Sequence, residues 1–354
     1  MMNGSLKRSL LRFLSYEQAE AVKTALSALL YYSGAAFLLS SMRGESRRGA
    51  RILMFHSVSE QRTFWDNRIS PDRFRETVRY LSRRFRIVPM AHIIERLRRN
   101  AEVPSDWVAL TFDDGYADNA EVALPELSAL KAPATFFVPS GIVRMDSNAD
   151  RGQLPFLFFD GVEDLLRRSA PDVASRLQAS VSTRVSLRDD ASRSDAILRT
   201  VLSMRARNAA GHREELDRLS EICGATPQVP RSLYLSVDDL KRMDVAGMDV
   251  GSHGISHADL ARCDEDEALR EISASKLALE AMTGRPVTGF AYPFGKRASI
   301  GRRAQFVSQS GYDYAVTTEF GAVRAGADPF ALPRIAVRDT ALVRLKVNLM
   351  GIQI

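Results

Sequence analysis

The sequence predicts an α/β chain in which a parallel sheet is built from strands joined by crossover helices. Three observations predict it. Short apolar runs of strand length alternate with segments of helical periodicity along most of the chain. Polar residues with catalytic chemistry gather at the C-terminal ends of those runs, where parallel strands collect their loops on one face. One segment, about residues 144–231, breaks the alternation. It is rich in Arg, Ser, Asp and Ala and poor in Val and Ile, and it reads as a helical insertion capping one end of the barrel.

With 354 residues the chain holds one large domain or two smaller ones. Its hydrophobic fraction of 45% and charged fraction of 26% are those of a globular protein. The net charge of +6 and pI near 9.4 suit an acidic partner such as a membrane surface or lipid phosphate, and equally a solvated basic surface. Basic residues are not interleaved with aromatics, so no nucleic acid partner is expected. Two cysteines, Cys223 and Cys263, exclude a disulfide framework.

Residues 1–50 form an N-terminal extension to a domain spanning 51–354. Within it, residues 24–42 carry no charge, and basic residues flank them on both sides: Lys7, Arg8, Arg12 and Lys23 before, Arg43, Arg47, Arg48 and Arg51 after. Three readings stay open: a helix on the membrane surface, a soluble helix packed on the domain, and a single membrane anchor. The corresponding location is cytoplasmic or peripheral on the cytoplasmic membrane.

The domain begins with the strand ILMFHSV, which ends around His56. A helix follows from Pro71, with Ser70 as its N-cap. RIVPM is a strand, AHIIERLRR a helix, and WVALTF the next strand. ADNAEVALPELSAL is a helix interrupted by Pro125. APATFFVPS is a strand. Beyond the insertion come the helix SVDDLKRMDVAG, the strand MDVGSH, a long amphipathic helix ending at Gly284, and strands VTGFAYPFG, YDYAVTT and ALPRIAV.

The stretch LTFDDGYADN sets Asp113 beside Asp114 at a strand end. Adjacent carboxylates repel, so a metal or a proton is expected nearby. In GSHGISHADL, His253 and His257 stand four apart just past another strand. Two imidazoles and one carboxylate are the usual protein ligands of a catalytic zinc. With Asp114 as that carboxylate, Asp113 stays anionic and is a competent general base. Gly115 permits a sharp turn that presents the Tyr116 N–H to an oxyanion. His56 is the remaining histidine at a strand end and the natural general acid. His92 and His212 read as surface histidines. Tyr292 and Arg334 also fall at strand ends.

The motifs TFDDGYADN, SHGISH, YPFG and LPRI occur in the order found in polysaccharide deacetylases of carbohydrate esterase family 4, which carry the NodB homology domain. The chain resembles that family over roughly residues 52–337, apart from the insertion. The resemblance implies a distorted (β/α)7 barrel and a divalent metal, usually Zn2+. It implies hydrolysis of N-acetyl, sometimes O-acetyl, groups on an acetylated glycan. It makes Asp113 the base and Asp114, His253 and His257 the metal ligands, and it places Tyr116, Tyr292, Pro293 and Leu332 at the substrate. Two positions depart from the pattern. Ala291 stands where many members have an Arg that orients the base, and LPRIAV carries Arg334 where many have a catalytic His. The chain is more similar to the branch of biofilm poly-N-acetylglucosamine and exopolysaccharide deacetylases, in which an early aromatic-His pair, here Phe55-His56, supplies the acid. Arg334 is then expected to pair with Asp113. A polymer, an oligosaccharide and a lipid-linked sugar all fit as substrate. Two rival readings are a deacylase of another small amide or O-acetyl ester, and a non-catalytic glycan-binding assembly subunit.

Overall fold

The apolar runs become one parallel sheet. A computed structural model describes residues 16–42, 49–60, 68–145, 156–180, 186–205 and 207–353. Its strands are β1 (Arg51–Phe55), β2 (Arg86–Ile87), β3 (Trp107–Phe112), β4 (Ala134–Val138), β5 (Asp249–Ser252), β6 (Gly289–Ala291), β7 (Tyr314–Val316) and β8 (Ile335–Ala336). The order is β7-β6-β5-β4-β3-β1-β8, with β2 paired to β3 off that path, and all pairings are parallel. Every residue of β1 and β4 is buried, as expected for strands covered on both faces. Leu332 bridges to Val316 of edge strand β7, and three residues later Ile335 pairs with Leu53 of β1. One short segment thus joins the two edges and curls the sheet into the distorted barrel that the motifs imply.

Local chemistry shapes the crossovers in ways the sequence reading only partly anticipates. Ser70 occupies the N-cap of the helix Pro71–Arg84, but its hydroxyl caps nothing. It donates to Asp339 instead, at 2.8 Å. Pro125 does interrupt the α-helical ladder: the residues before it, Asn119–Ala123, form a π-helical turn in which the Leu124 N–H reaches the Asn119 carbonyl, and the run continues without a break as the α-helix Leu124–Ala129.

Three main apolar cores result. Phe55, Phe112 and Phe136 stack with ring centroids 5.0 and 4.7 Å apart, and Phe74 of the helix Pro71–Arg84 meets the first two edge-on. Ile52, Ala109, Phe137, Ala291 and Val316 form a second cluster. The inserted helices, Phe158–Arg168, Val173–Ser180, Asp190–Met204 and Ala209–Cys223, build the third. Leu157, Val162, Leu166, Ile197, Val201 and Leu219 are buried there, together with Tyr116 and Ile142 from the barrel loops. The shortage of Val and Ile in this segment marks helix rather than a lack of core, because Leu and Phe, with a few Val and Ile, fill it at helical spacing. His212 belongs to this core. It is 2% exposed and stacks on Phe158, whereas His92 is exposed. Cys223 and Cys263 are both free thiols.

The uncharged N-terminal stretch is not one helix. The helices Tyr16–Tyr32 and Ala35–Met42 meet at a 78° bend, with Gly34 in the left-handed region at φ +77°. No single helix among the described residues is long and apolar enough to cross a membrane. Ala36 packs on Val347 and Ile352, at the C-terminal helix Leu342–Leu349. Lys7, Arg8, Arg12, Arg43, Arg47 and Arg48 lie outside the described residues.

Gly251 of β5 sets the spacing beneath the histidine loop. A Cβ there would lie 2.4 Å from the Phe137 ring of β4. Gly251→Ala is therefore expected to destabilise the fold by about 1–3 kcal/mol, read as a lowered urea midpoint. An unchanged midpoint would mean that β4 and β5 pack more loosely than described.

Candidate active site

At the end of β3 the chain turns sharply. Asp114 has φ +73° and Gly115 φ +66°. The left-handed region is costly for an aspartate. Among the described residues five other than glycine share it, and three of them, Asp114, His257 and Phe294, lie at this site. A Cβ on Gly115 would also stand 3.0 Å from Val138. Both aspartates are buried, and each is compensated differently.

Asp113 faces Arg334, which approaches from just before β8. The guanidinium donates to both carboxylate oxygens, at 2.7 and 2.6 Å. Arg334 is itself fixed by donating to the Thr317 carbonyl at 2.8 Å and to the Thr111 hydroxyl at 3.1 Å. Burial raises the Asp113 pKa, but the charge and hydrogen bonds of Arg334, with the charges of His253 and His56, together outweigh it and hold the group below its ordinary range. Asp113 is therefore an anion whose geometry is locked by a planar fork.

Asp114 has no such partner. Its Oδ1 is buried and makes no hydrogen bond, yet the Nε2 atoms of His253 and His257 stand 3.5 and 3.4 Å away. The three ligand atoms all lie within 4.8 Å of one another. These separations are long for direct hydrogen bonds. They match the edges of a tetrahedron around an ion with bonds of about 2.0–2.1 Å, which are roughly 3.3–3.4 Å. The donor set and the orphaned oxygen thus fit a divalent cation. Burial again pushes the Asp114 pKa up, and the facing imidazoles hold it well below its ordinary range. His253 Nδ1 lies 2.7 Å from the Ala291 carbonyl. A carbonyl only accepts, so Nδ1 carries the proton and Nε2 presents a lone pair to the cluster.

Residues that the motifs do not single out hold these groups in place. Glu271, on the helix Glu265–Thr283, accepts the N–H groups of Ile255 and Ser256 and the Ser256 hydroxyl at 2.6–3.0 Å, which pins the loop between the two histidines. Asn119 donates to the His56 carbonyl at 2.7 Å, and Asp118 accepts from the Ser57 hydroxyl. The ADN end of LTFDDGYADN therefore anchors the His56 loop. His56 is half-buried. Burial lowers its pKa, against the pull of Asp114 and Asp113, and the net shift is downward.

The motif residues after the histidines have packing roles. The Tyr292 hydroxyl donates to the Phe330 carbonyl at 3.0 Å, with its ring buried beside Phe290. Leu332 is buried in one apolar cluster with Ala291 and Val316. Pro293 lies against the histidine loop, 3.8 Å from where a Gly254 Cβ would be. Phe294, next in sequence, sits edge-on to His257 at 4.8 Å and carries the Arg205 guanidinium on its other contact, at 4.4 Å.

A parallel barrel with a buried Asp–Arg pair and an Asp/His/His cluster at its strand ends has the equipment of a hydrolase. The chain belongs to the polysaccharide deacetylase family, whose sequence profile matches residues 100–180 and 213–315. The polysaccharide deacetylase relative YxkH of Bacillus subtilis (strain 168) is 29% identical over 104 residues, which are 29% of this chain and 37% of that protein. The fold resembles the Streptococcus pyogenes deacetylase PplD, solved with acetate, at TM-score 0.51 and 19% identity over 82% of this chain and 93% of that one. It also resembles IcaB from Ammonifex degensii, at TM-score 0.52 and 17% identity over 86% and 98% of the two chains.

The insertion reaches both halves of the site from the first turn of the helix Phe158–Arg168. Phe159 meets His257 edge-on at 5.5 Å, and Asp160 accepts from the hydroxyls of Tyr116, at 3.2 Å, and of Tyr234. No sequence motif marks Asp160, because a lone acid in a helical run looks solvated. Burial pushes its pKa up to about 8, the Tyr234 hydroxyl opposing and the nearby Asp114 charge adding to it. Folded, Asp160 keeps its proton to about pH 8, whereas unfolded it ionises near pH 3.9. The folded state therefore binds the extra proton between those values, and this contribution to stability is lost as pH rises towards 8. In chelator-treated protein, Asp160→Asn should gain on the wild type in urea melts as pH is raised from about 5 to 8. A pH-independent difference would show that Asp160 is ionised in the fold.

Proposed function

We propose that this chain is a metal-assisted carbohydrate N-deacetylase acting on an acetylated glycan in exopolysaccharide or cell-surface glycan synthesis. One observation carries the reading: a buried carboxylate locked by an arginine stands directly beside an Asp/His/His cluster of metal-binding geometry. Asp114, His253 and His257 would hold the cation, with zinc the best match to one carboxylate and two imidazoles. Bound there, such a cation supplies Lewis-acid polarisation of an amide carbonyl and acidifies water.

The chain's own residues do the rest. Asp113 takes the proton of the attacking water. Arg334 occupies one lone pair on each of its oxygens, leaves the others to accept that proton, and keeps the group anionic. The Tyr116 N–H faces the developing oxyanion, because the flanking bonds from Ala117 N–H to Leu233 and from Leu235 N–H to the Gly115 carbonyl fix that turn without using it. His56, on the loop beyond β1, delivers a proton to the leaving amine. A burial-lowered imidazolium is a stronger acid for that step. Phe159 and Phe294 cover His257 with apolar surface, which strengthens each charge interaction by excluding water.

The two aspartates separate in an acetate-release assay. Asp113→Asn should lower turnover of an N-acetylated oligosaccharide by about 10²- to 10⁴-fold while zinc stays bound. Asp114→Asn should weaken zinc binding itself. Equal zinc loss in both variants would contradict this division. Arg334→Ala should strip Asp113 of its bidentate partner, costing about 3–5 kcal/mol of stability and altering the pH–rate profile. Unchanged activity and profile would rule out its role.

A further inference from the structure

Exposed apolar side chains are concentrated in one place. Of thirteen large hydrophobic residues exposed among the described residues, eight fall within 22–42. Val22, Leu26, Leu29 and Tyr32 recur at helical spacing along one face of the helix Tyr16–Tyr32, and Phe37 and Leu38 are exposed past the bend. Glu20 and Lys23 of that helix pair with each other, and Glu20 also with Arg344.

A cationic surface adjoins this face. Lys346 lies 5.1 Å from the rings of both Tyr31 and Tyr80, which links the bent pair to the helix Pro71–Arg84. The last turn of that helix exposes Arg83 and Arg84. With Arg86 and Lys131 they line a groove of about 520 Å³ in which the one carboxylate is Asp106.

Both features sit where the strands begin. Arg51, the first residue of β1, donates to the Leu349 carbonyl, beside the contact of Ala36 with Val347. Arg86 opens β2, and Lys131 precedes β4. The catalytic groups follow the strands' far ends: His56 after β1, Asp113 after β3 and His253 after β5. A five-residue strand separates the two ends by roughly 17 Å.

We propose that the strand-start end of the barrel docks on an anionic lipid bilayer. The bent helix pair enters the headgroup boundary, the arginines and lysines meet lipid phosphates, and the active site faces away from the membrane. A second copy of the chain is a poorer occupant, because two-fold pairing would bring the same cations together. On the deacetylase reading, on which this last step rests, the substrate is a glycan reaching clear of the headgroups rather than a sugar seated on its lipid.

Flotation of the full chain with phosphatidylcholine vesicles, with and without phosphatidylglycerol, tests this. Wild type should float with the anionic vesicles and far less with the neutral ones. Leu29→Glu/Leu38→Glu changes side chains that are 66 and 62% exposed, so the fold should persist while flotation is lost. Arg83→Ala/Arg84→Ala should weaken anionic-vesicle binding about thirtyfold. Bound and free enzyme should release acetate from a soluble oligosaccharide at the same rate, and a drop on binding would overturn the orientation. The proposal fails if wild type stays unbound, or if both variants float like wild type. It fails too if Leu29→Glu/Leu38→Glu merely converts a dimer to monomer. A chain that floats but releases no acetate would count against the deacetylase reading and leave the docking result standing.

Discussion

Two adjacent buried carboxylates set the terms for the rest of this structure. Asp113 and Asp114 are drawn into the protein by the apolar strand that precedes them, and neither charge is tolerable there alone. The fold answers with two different compensations. Arg334 neutralises Asp113, and Asp114 is left facing two imidazoles across a gap the size of an ion. Strand order makes both answers available. Because β8 lies beside β1 and β1 beside β3, a residue just before β8 reaches the end of β3. Because β3, β4 and β5 are consecutive, the loop after β5 reaches it from the other side.

Much of this was legible in the sequence. The strands follow their apolar runs, since a fully buried parallel strand needs one, and the Asp113–Arg334 pair was expected from the arginine missing at Ala291. The shortfalls have physical reasons. No motif conveys the contacts that fix Tyr292 and Leu332, the one by its hydroxyl on the Phe330 carbonyl and the other against Ala291 and Val316, because these partners are distant in sequence or lie on another strand. Glu271 and Asp160 were invisible because each acts across 15 residues or more, on a backbone loop or a phenol, and a single acid in a helix carries no local signal. The insertion's core left little signal because its apolar residues, chiefly Leu and Phe with a few Val and Ile, are spaced for helices rather than run together as in a strand. The break at Gly34 was hidden inside an uncharged run whose hydropathy reads as continuous.

The insertion and the N-terminal helices divide the surroundings of the barrel between them. One closes the catalytic end with aromatic rings and a protonated carboxyl beneath the Tyr116 turn. The other gives the opposite end an apolar and basic face. On the docking proposal, chemistry and attachment would be kept a strand's length apart, so that neither has to accommodate the other.

The central claim is that Asp114, His253 and His257 are one ion's ligands and that the ion is needed for turnover. Stripping the purified chain with a chelator and adding zinc back in sub-stoichiometric steps, with acetate release followed at each step, tests it directly. The account predicts no release from stripped protein and a linear rise that breaks at one zinc per chain. Full release from stripped protein, or a rise without a break at one equivalent, would contradict it.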